Sequence, residues 1–506
     1  LTSLHERLRS LTPERLQGIR RGIEKESLRT DASGALAQTP HPSALGSALT
    51  HPHITTDFSE SQLELVTGAH ARVEDCLDEL ATIHQFVVRQ LGAERMWAAS
   101  MPCALPADEA MIPIGQYGRS NVAQAKTVYR HGLALRYGRR MQTISGIHYN
   151  WSLPGLSNAD YFGLIRNFRR HSFLLLLLFG ASPAVDRSFV AGRAHTLQPL
   201  GADSFCLPDA TSLRMGRLGY QSDAQAELCV SYNCLDTYAA SLQGALTRSY
   251  PAYEALGLRN PDGSYRQLGT SLLQIENEFY GTIRPKRVIQ SGERPLHALR
   301  ERGVEYVEVR CMDLNPFIAT GIDAATARFL DIFLLHCLLT DSPPDSPAEI
   351  AELGANQQIA ATRGRAPDAQ LQRAGRPVAL RDWAAELLDA CAPIAATLDA
   401  GLADQPHRQV LQAAQAALQA PDTLPSARVL AAIRQQPGQR HVDFVREQSA
   451  RVRQTLLDQP WSDQQQARWE QLARDSLAEQ ARIEAADTLP FEAYRQHYLS
   501  SERLTP

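Results

Sequence analysis

A mixed α and β fold is predicted for this chain, with strands gathered in the first two thirds and helices in the last. Three observations predict it. Short apolar runs carry acids at a spacing of two, as in Gly22-Ile23-Glu24-Lys25-Glu26-Ser27-Leu28-Arg29. Such runs alternate with helices and turns up to about residue 340. Beyond Asp341-Ser342-Pro343-Pro344 the chain is rich in Ala, Gln, Leu and Arg, with helical periodicity and few β-branched residues. The expected division is therefore 1–340 and 341–506, the second part mainly helical, packed on the first and carrying little chemistry.

Each element follows from its local pattern. The N-terminus spaces Leu4, Leu8, Leu11 and Leu16 among Glu and Arg, which is amphipathic and unlike a secretory leader. A strand has a side-chain period of two, so Glu24 and Glu26 project from one face of the first strand. Thr56 to Leu65 reads as a second acid-bearing strand segment, with Asp57 and Glu64. Phe173 to Phe179 is too short to span a bilayer and reads as a buried helix or strand. Ile144 to Leu153 reads as a strand closed by Pro154, with Ile144, His148 and Asn150 on one face. Gly146 within it would let a ligand or another strand approach closely. Leu272 to Tyr280 reads as another strand. Ile283 to Arg287 reads as a basic loop, because Pro285 disfavours continued strand pairing. In Glu305 to Arg310 the Val307–Val309 side faces a core, while Tyr306, Glu308 and Arg310 share the other face. Ala427 to Arg434 and Arg468 to Ala486 read as helices.

Bulk properties exclude several classes of function. The 506 residues carry 51 Lys and Arg against 55 Asp and Glu, too balanced for a general nucleic-acid or anionic-membrane role. The eight cysteines are scattered without a CxxC pair, which argues against a zinc ribbon or disulfide scaffold and fits a reduced, cytoplasmic enzyme. No glycine-rich phosphate loop and no internal repeat is present.

The acids carry the chemistry. Two like charges side by side repel unless a cation sits between them. Three separated strand segments each bring carboxylates, which points to a cluster on one sheet holding hard divalent cations such as Mg²⁺. Beside Glu308, Arg310 offers a planar fork suited to a phosphate.

These segments, with others in the same order, resemble the proteobacterial glutamate–cysteine ligase family. The matching landmarks include G-I-E-K-E-S-L-R at 22–29, H-P-S-A-L-G-S-A-L-T-H at 41–51, Q-Y-G-R-S-N at 116–121 and M-Q-T-I-S-G-I-H-Y-N at 141–150. Further on come A-T-S-L-R at 210–214, L-Q-I-E-N-E-F-Y at 273–280, I-R-P-K-R at 283–287 and E-Y-V-E-V-R-C-M-D-L-N-P-F at 305–317. The last third matches mainly in A-A-D-T-L-P-F at 485–491.

The resemblance implies an α+β fold like the catalytic domain of glutamine synthetase, a curved and mostly antiparallel sheet forming a funnel-shaped site. It implies ligation of L-cysteine to the γ-carboxylate of L-glutamate with ATP, the first step of glutathione biosynthesis. Carried over by position, it implies Glu24, Glu26, Asp57, Glu64, His148 and Glu308 as metal-site residues for more than one Mg²⁺, with Mn²⁺ able to substitute. Arg310, Glu308 and His148 are the implied catalytic residues, and Arg284, Lys286 and Arg310 the implied ATP contacts. Phe58, Tyr129, Tyr220 and Tyr280 match aromatic residues of the cysteine subsite. Arg130, Gln142 and Arg214 match polar residues near the amino acids, and Ile144 a wall position. A cytoplasmic monomer subject to feedback inhibition by glutathione is also implied. Asp209 and the 193–205 stretch depart from the pattern near the acceptor side. A γ-glutamyl ligase with another small amine, a guanidino phosphotransferase and a non-enzymatic binding protein are the competing readings.

Overall fold

Seven antiparallel strands build the frame of the molecule, in the order β2-β3-β1-β5-β10-β9, with β4 paired to the end of β1. The computed structural model describes residues 4–219, 223–226, 228–290 and 292–505. The strands are β1 (Arg20–Thr30), β2 (Ile54–Thr56), β3 (Gln62–Val66), β4 (Arg95–Met96), β5 (Ile147–Ser152), β9 (Ile283–Lys286) and β10 (Tyr306–Met312). Between β5 and β9 lies a separate three-stranded sheet, β6 (Ala184–Asp186), β7 (Gln198–Leu200) and β8 (Ser204–Cys206). The α+β class expected from the sequence is the class observed.

Alternation decides which side of the large sheet is buried. Ile23, Leu63, Leu65, Ile147, Tyr149, Trp151, Val307, Val309 and Ile283 all point to one side and are almost fully buried there. The helices Val73–Gln90, Asn158–His171 and Ala324–Leu339 cover that side. Phe173–Phe179 is a helix in the same core, which resolves the helix-or-strand ambiguity of that run. Lys25 must share this face because it lies between Glu24 and Glu26. Its ammonium meets His84 Nδ1 at 3.2 Å and the Ala319 carbonyl at 3.3 Å, and burial pushes its pKa down to about 7.

Three expected elements differ. Leu272 to Tyr280 is not a strand; only a short 3₁₀ turn, Glu276–Glu278, interrupts an irregular path. Its acids are used by buried partners instead: Glu276 by Arg294 and Glu278 by Arg136, Tyr137 and the Gln274 amide. Ile283 to Lys286 is a strand rather than a loop. Pro285 is tolerated because β9 is the outer strand and Pro donates nothing to a ladder that ends there. The segment Thr56 to Leu65 is broken by a turn, so Asp57 stands just beyond β2 and Glu64 within β3.

The last third forms the helices Pro347–Arg363, Leu380–Leu398, Pro406–Gln419, Pro425–Gln435, His441–Asp458, Asp463–Ala486 and Phe491–Leu499, with the hairpin β11 (Gln370–Arg373) and β12 (Arg376–Ala379). Among the described residues no helix is long and apolar enough to cross a membrane.

Candidate active site

The face of the sheet opposite the apolar core carries the acids, and pairing register brings them together. Glu26 on β1 is paired with Glu64 on β3. Glu24 is paired with His148 on β5. Asn150 on β5 is paired with Glu308 on β10, and Glu308 with Arg284 on β9. One row of polar side chains thus crosses five strands. A shift in register between Val309 and Met312 marks a bulge in β10 at Arg310.

Contacts within the row are short. His148 Nδ1 lies 3.1 Å from Glu24 Oε2, and Asn150 donates to Glu24 Oε1 at 2.9 Å. The Gly146 amide donates to Glu26 Oε2 at 2.8 Å. Glu308 faces three cations, Arg310 at 3.0 Å, Lys286 at 3.3 Å and Arg284 at 3.9 Å. Gly146 has no side chain because Arg214 occupies that space: a Cβ there would fall 2.8 Å from Arg214 Nε and nearer still to the rest of the guanidinium. The close approach expected at Gly146 is thus made by a side chain of this chain. Arg214 is 1% exposed, donates to the Arg310 carbonyl at 2.8 Å, and supports the row from behind.

Charge is unevenly shared along the row. Burial, then the charge of Asp57, pushes Glu26 up to about 8. Burial, then Glu24 and Asp57, holds Glu64 well above the usual carboxylate range. Burial works against Glu308 as well, but Lys286, Arg310, His148 and Arg284 overcome it and hold its carboxyl well below that range. For Glu24 burial and Glu308 push upward, and contact with His148 and the charge of Lys286 bring the net shift down. Burial, then Arg310, lowers His148 and keeps its imidazole neutral. A neutral imidazole is the metal-ligating form.

The donor set fits divalent cations. One ligand atom from each of Glu24, His148 and Glu308 lies within 4.8 Å of the other two, and the same holds for Glu26, Glu64 and His148. His148 Nε2 is buried, makes no hydrogen bond, and lies 3.4 Å from Glu26 Oε1. Burial and neighbouring acids raise Glu26 and Glu64, and a divalent cation bound between such carboxylates would offset both effects.

A cavity of about 750 Å³ opens over this face. Its wall includes Glu24, Glu26, Asp57, Phe58, Glu64, Tyr129, Arg130, Gln142, Ile144, His148, Tyr280, Arg284, Lys286, Glu308 and Arg310. All but two of the site residues implied by the family resemblance therefore line one cavity. Arg214 is the first exception. Tyr220 is the second, and it lies outside the described residues. Gln142 donates to the Tyr280 hydroxyl at 2.8 Å, and Phe58 packs in one apolar cluster with Ile144, Leu133 and Tyr129.

The sequence reading missed part of the wall. Lys126 lines the cavity from the helix Asn121–Tyr137, one turn before Arg130. Glu479, Arg482, Ile483, Tyr494 and Tyr498 line it from the last two helices. The last third, expected to pack on the first part and carry little chemistry, contributes these side chains to the cavity wall. The available signal was A-A-D-T-L-P-F at 485–491: Asp487 accepts from the Asn121 amide and Leu489 from the Asn121 side chain at 2.9 Å, so this motif caps a site helix.

The chain is similar to known proteins along most of its length. The family model described as glutamate-cysteine ligase matches residues 6–360. The chain is 48% identical over 501 residues to a glutamate–cysteine ligase of Azotobacter vinelandii, covering 95% of this chain and 94% of that protein. It is 49% identical over 495 residues to one of Bordetella petrii, covering 94% and 93%. Among solved structures, the glutamate–cysteine ligase of Francisella tularensis in complex with AMP superposes with a TM-score of 0.90 at 33% identity, covering 96% of this chain and 98% of that one. These matches run through the last third, and the fold they share is the glutamine-synthetase-like α+β architecture.

Proposed function

Because this chain belongs to the glutamate–cysteine ligase family, we propose that its polar row performs ATP-dependent ligation of L-glutamate to L-cysteine on bound Mg²⁺. The observation that carries the reading is the register. Acids from β1, β3 and β10 meet His148 of β5 on one face, next to Arg284, Lys286 and Arg310.

A carboxylate is a poor electrophile, so the glutamate γ-carboxylate must first be activated. One of its oxygens attacks the γ-phosphorus of ATP, the bond to the β-phosphate oxygen breaks, and γ-glutamyl phosphate and ADP result. The neutral amine of cysteine then attacks the acyl carbon. Phosphate leaves with the bonding pair, and the amine gives up a proton.

The chain's own residues account for the parts. Glu24, Glu26, Asp57, Glu64, His148 and Glu308 would hold the Mg²⁺ ions, with Mn²⁺ as substitute. Those ions would neutralise phosphate oxygens and keep the reacting groups in line. Arg310, fixed against Glu308 and His148, presents its fork to the moving phosphoryl group. Arg284 and Lys286 sit on the edge strand where the rest of the triphosphate would lie. Phe58, Tyr129 and Tyr280 line an aromatic wall suited to a small thiol, where sulfur–ring contact favours cysteine over other small amines. A guanidino phosphotransferase would make no amide.

The test is product formation with ATP, Mg²⁺ and glutamate across a panel of amine acceptors. A γ-glutamyl amide with cysteine as the preferred acceptor is expected. Phosphate release independent of any amine would overturn the reading.

A further inference from the structure

One face of the helix Asn121–Tyr137 points into the cavity through Val122, Lys126, Tyr129, Arg130 and Leu133. Ser120 caps this helix and the C-terminal segment holds it from outside, so its position is fixed. Lys126 and Arg130 are one turn apart on that face, and like charges at this spacing repel. Both stand over the ring of the buried Tyr117, with Lys126 Nζ 5.2 Å and Arg130 Cζ 4.5 Å from its centroid. Two cations are therefore held against one aromatic ring.

They are not equally engaged. Arg130 spends three of its five N–H donors on the backbone carbonyls of Thr56, Asp57 and Lys126. Lys126 Nζ makes no hydrogen bond and no ion pair with any described residue. Burial, then Arg130, brings its pKa down to about 8, and the charge of Glu64 offsets this only in part. A half-buried ammonium thus stands beside a guanidinium in the cavity wall, on the helix Asn121–Tyr137.

Both amino acids entering this cavity carry an α-carboxylate, which takes no part in the chemistry and must be neutralised when desolvated. Tyr129 and Tyr280 are close at hand, and burial, then Glu278, holds the Tyr129 phenol well above its usual range, so it stays a donor. We propose that Lys126, acting with Arg130, receives the α-carboxylate of an amino-acid substrate. It is a binding residue that fixes the substrate's orientation while the polar row acts on the other end. Arg130 alone has two N–H donors left, and a carboxylate accepts up to four hydrogen bonds. Lys126 supplies the donors and the charge that Arg130 lacks.

The inference rests on the ligase reading, and the two fail separately. Wild-type γ-glutamyl amide formation is measured first and tests the reading alone. Lys126→Met and Lys126→Gln are then compared with wild type on two pairs, L-cysteine against cysteamine and L-glutamate against 4-aminobutyrate. Each second member lacks the α-carboxylate. The expected result is a rise of about tenfold or more in KM for one natural substrate, together with an equal loss of preference over its decarboxylated partner. The pair that changes identifies the substrate whose carboxylate is held. Preferences kept within about twofold in both pairs would overturn the proposal. A measurement that needs no variant is amine-directed acetylation of wild-type Lys126. The natural substrate should slow it and the decarboxylated partner should not; equal labelling with both would also overturn it.

Discussion

Glu308 stands where three cations converge, and its neutral isostere isolates what the charge does. Glu308→Gln keeps the size and loses the charge that Lys286, Arg310 and Arg284 balance. Turnover at ordinary Mg²⁺ should fall by at least about a hundredfold, because a metal clamp on a phosphoryl group contributes several kcal/mol to the transition state. Circular dichroism should be unchanged, and near-normal turnover would remove the metal role. Arg310→Lys replaces a fork with a point charge, so two oxygens of the moving phosphate can no longer be held together. A loss of about tenfold to a hundredfold in kcat is expected, with the KM for ATP less affected; a change confined to that KM would make Arg310 a ground-state contact only. Glu26 gives a pH signature. Its folded pKa, about 8, is raised above the ordinary value of 4.5, chiefly by burial. The folded state therefore holds a proton that the unfolded state has lost between those values, so metal-free stability should fall as pH rises from about 4.5 to 8. Bound Mg²⁺ should flatten this slope. Denaturation midpoints with and without Mg²⁺ across that window decide the point, and identical slopes would refute it.

At the level of elements, the C-terminal helices add a wall to the site above the sheet. The stretch 41–51, with His53 just beyond it, docks the helix Asp463–Ala486. The Ser47 amide donates to Ser476 Oγ at 2.9 Å, the Thr50 hydroxyl donates to the Ser476 carbonyl at 2.6 Å, and His51 and His53 pack on Trp469. Farther along, the buried Arg294 joins Glu276 at 2.7 Å and donates to the Tyr498 carbonyl at 2.8 Å. Gly46 is required at the first dock: its φ is +82°, and a Cβ would fall 2.8 Å from Ala473 Cα. Gly46→Ala should therefore lift the helix away. Amide exchange should rise across 463–486 while β1 and β5 keep their protection, and ligation should fall several-fold because the wall carrying Glu479, Arg482 and Ile483 retreats. Unaltered exchange in that helix would show the dock to be tolerant.

At the scale of the whole molecule, the two-step route makes the cavity complementary to a tetrahedral centre carrying a phosphate, and not to glutamate itself. A sulfoximine analogue of the substrate is tetrahedral at sulfur, and its nitrogen can accept the γ-phosphoryl group. Once phosphorylated it should bind very tightly, its phosphate on the polar row and an S-alkyl group of cysteine size against Phe58, Tyr129 and Tyr280. Inhibition measured with and without preincubation in Mg·ATP tests this. Equal inhibition in both conditions would count against an acyl-phosphate route.

The sequence by itself determined the faces of the strands. A period of two settles that Glu24 and Glu26 share a side, that Glu308 and Arg310 oppose Val307 and Val309, and that the apolar set meets the helices. It also carried the family pattern that singled out the residues of the polar row. Tertiary structure decided the rest, because those outcomes depend on partners remote in sequence. Leu272 to Tyr280 has the composition of a strand, but its acids are held by Arg136 and Arg294, and the segment pairs with no strand of the large sheet. Ile283 to Lys286 has a proline, but an outer strand needs no donor there. Lys126 looks like any helix lysine until Tyr117 and Arg130 are seen beside it. The last two helices look like solvated surface until Gly46 and Asn121 bring them over the mouth of the cavity. Local periodicity fixes where a side chain points; only the packed chain fixes what it meets.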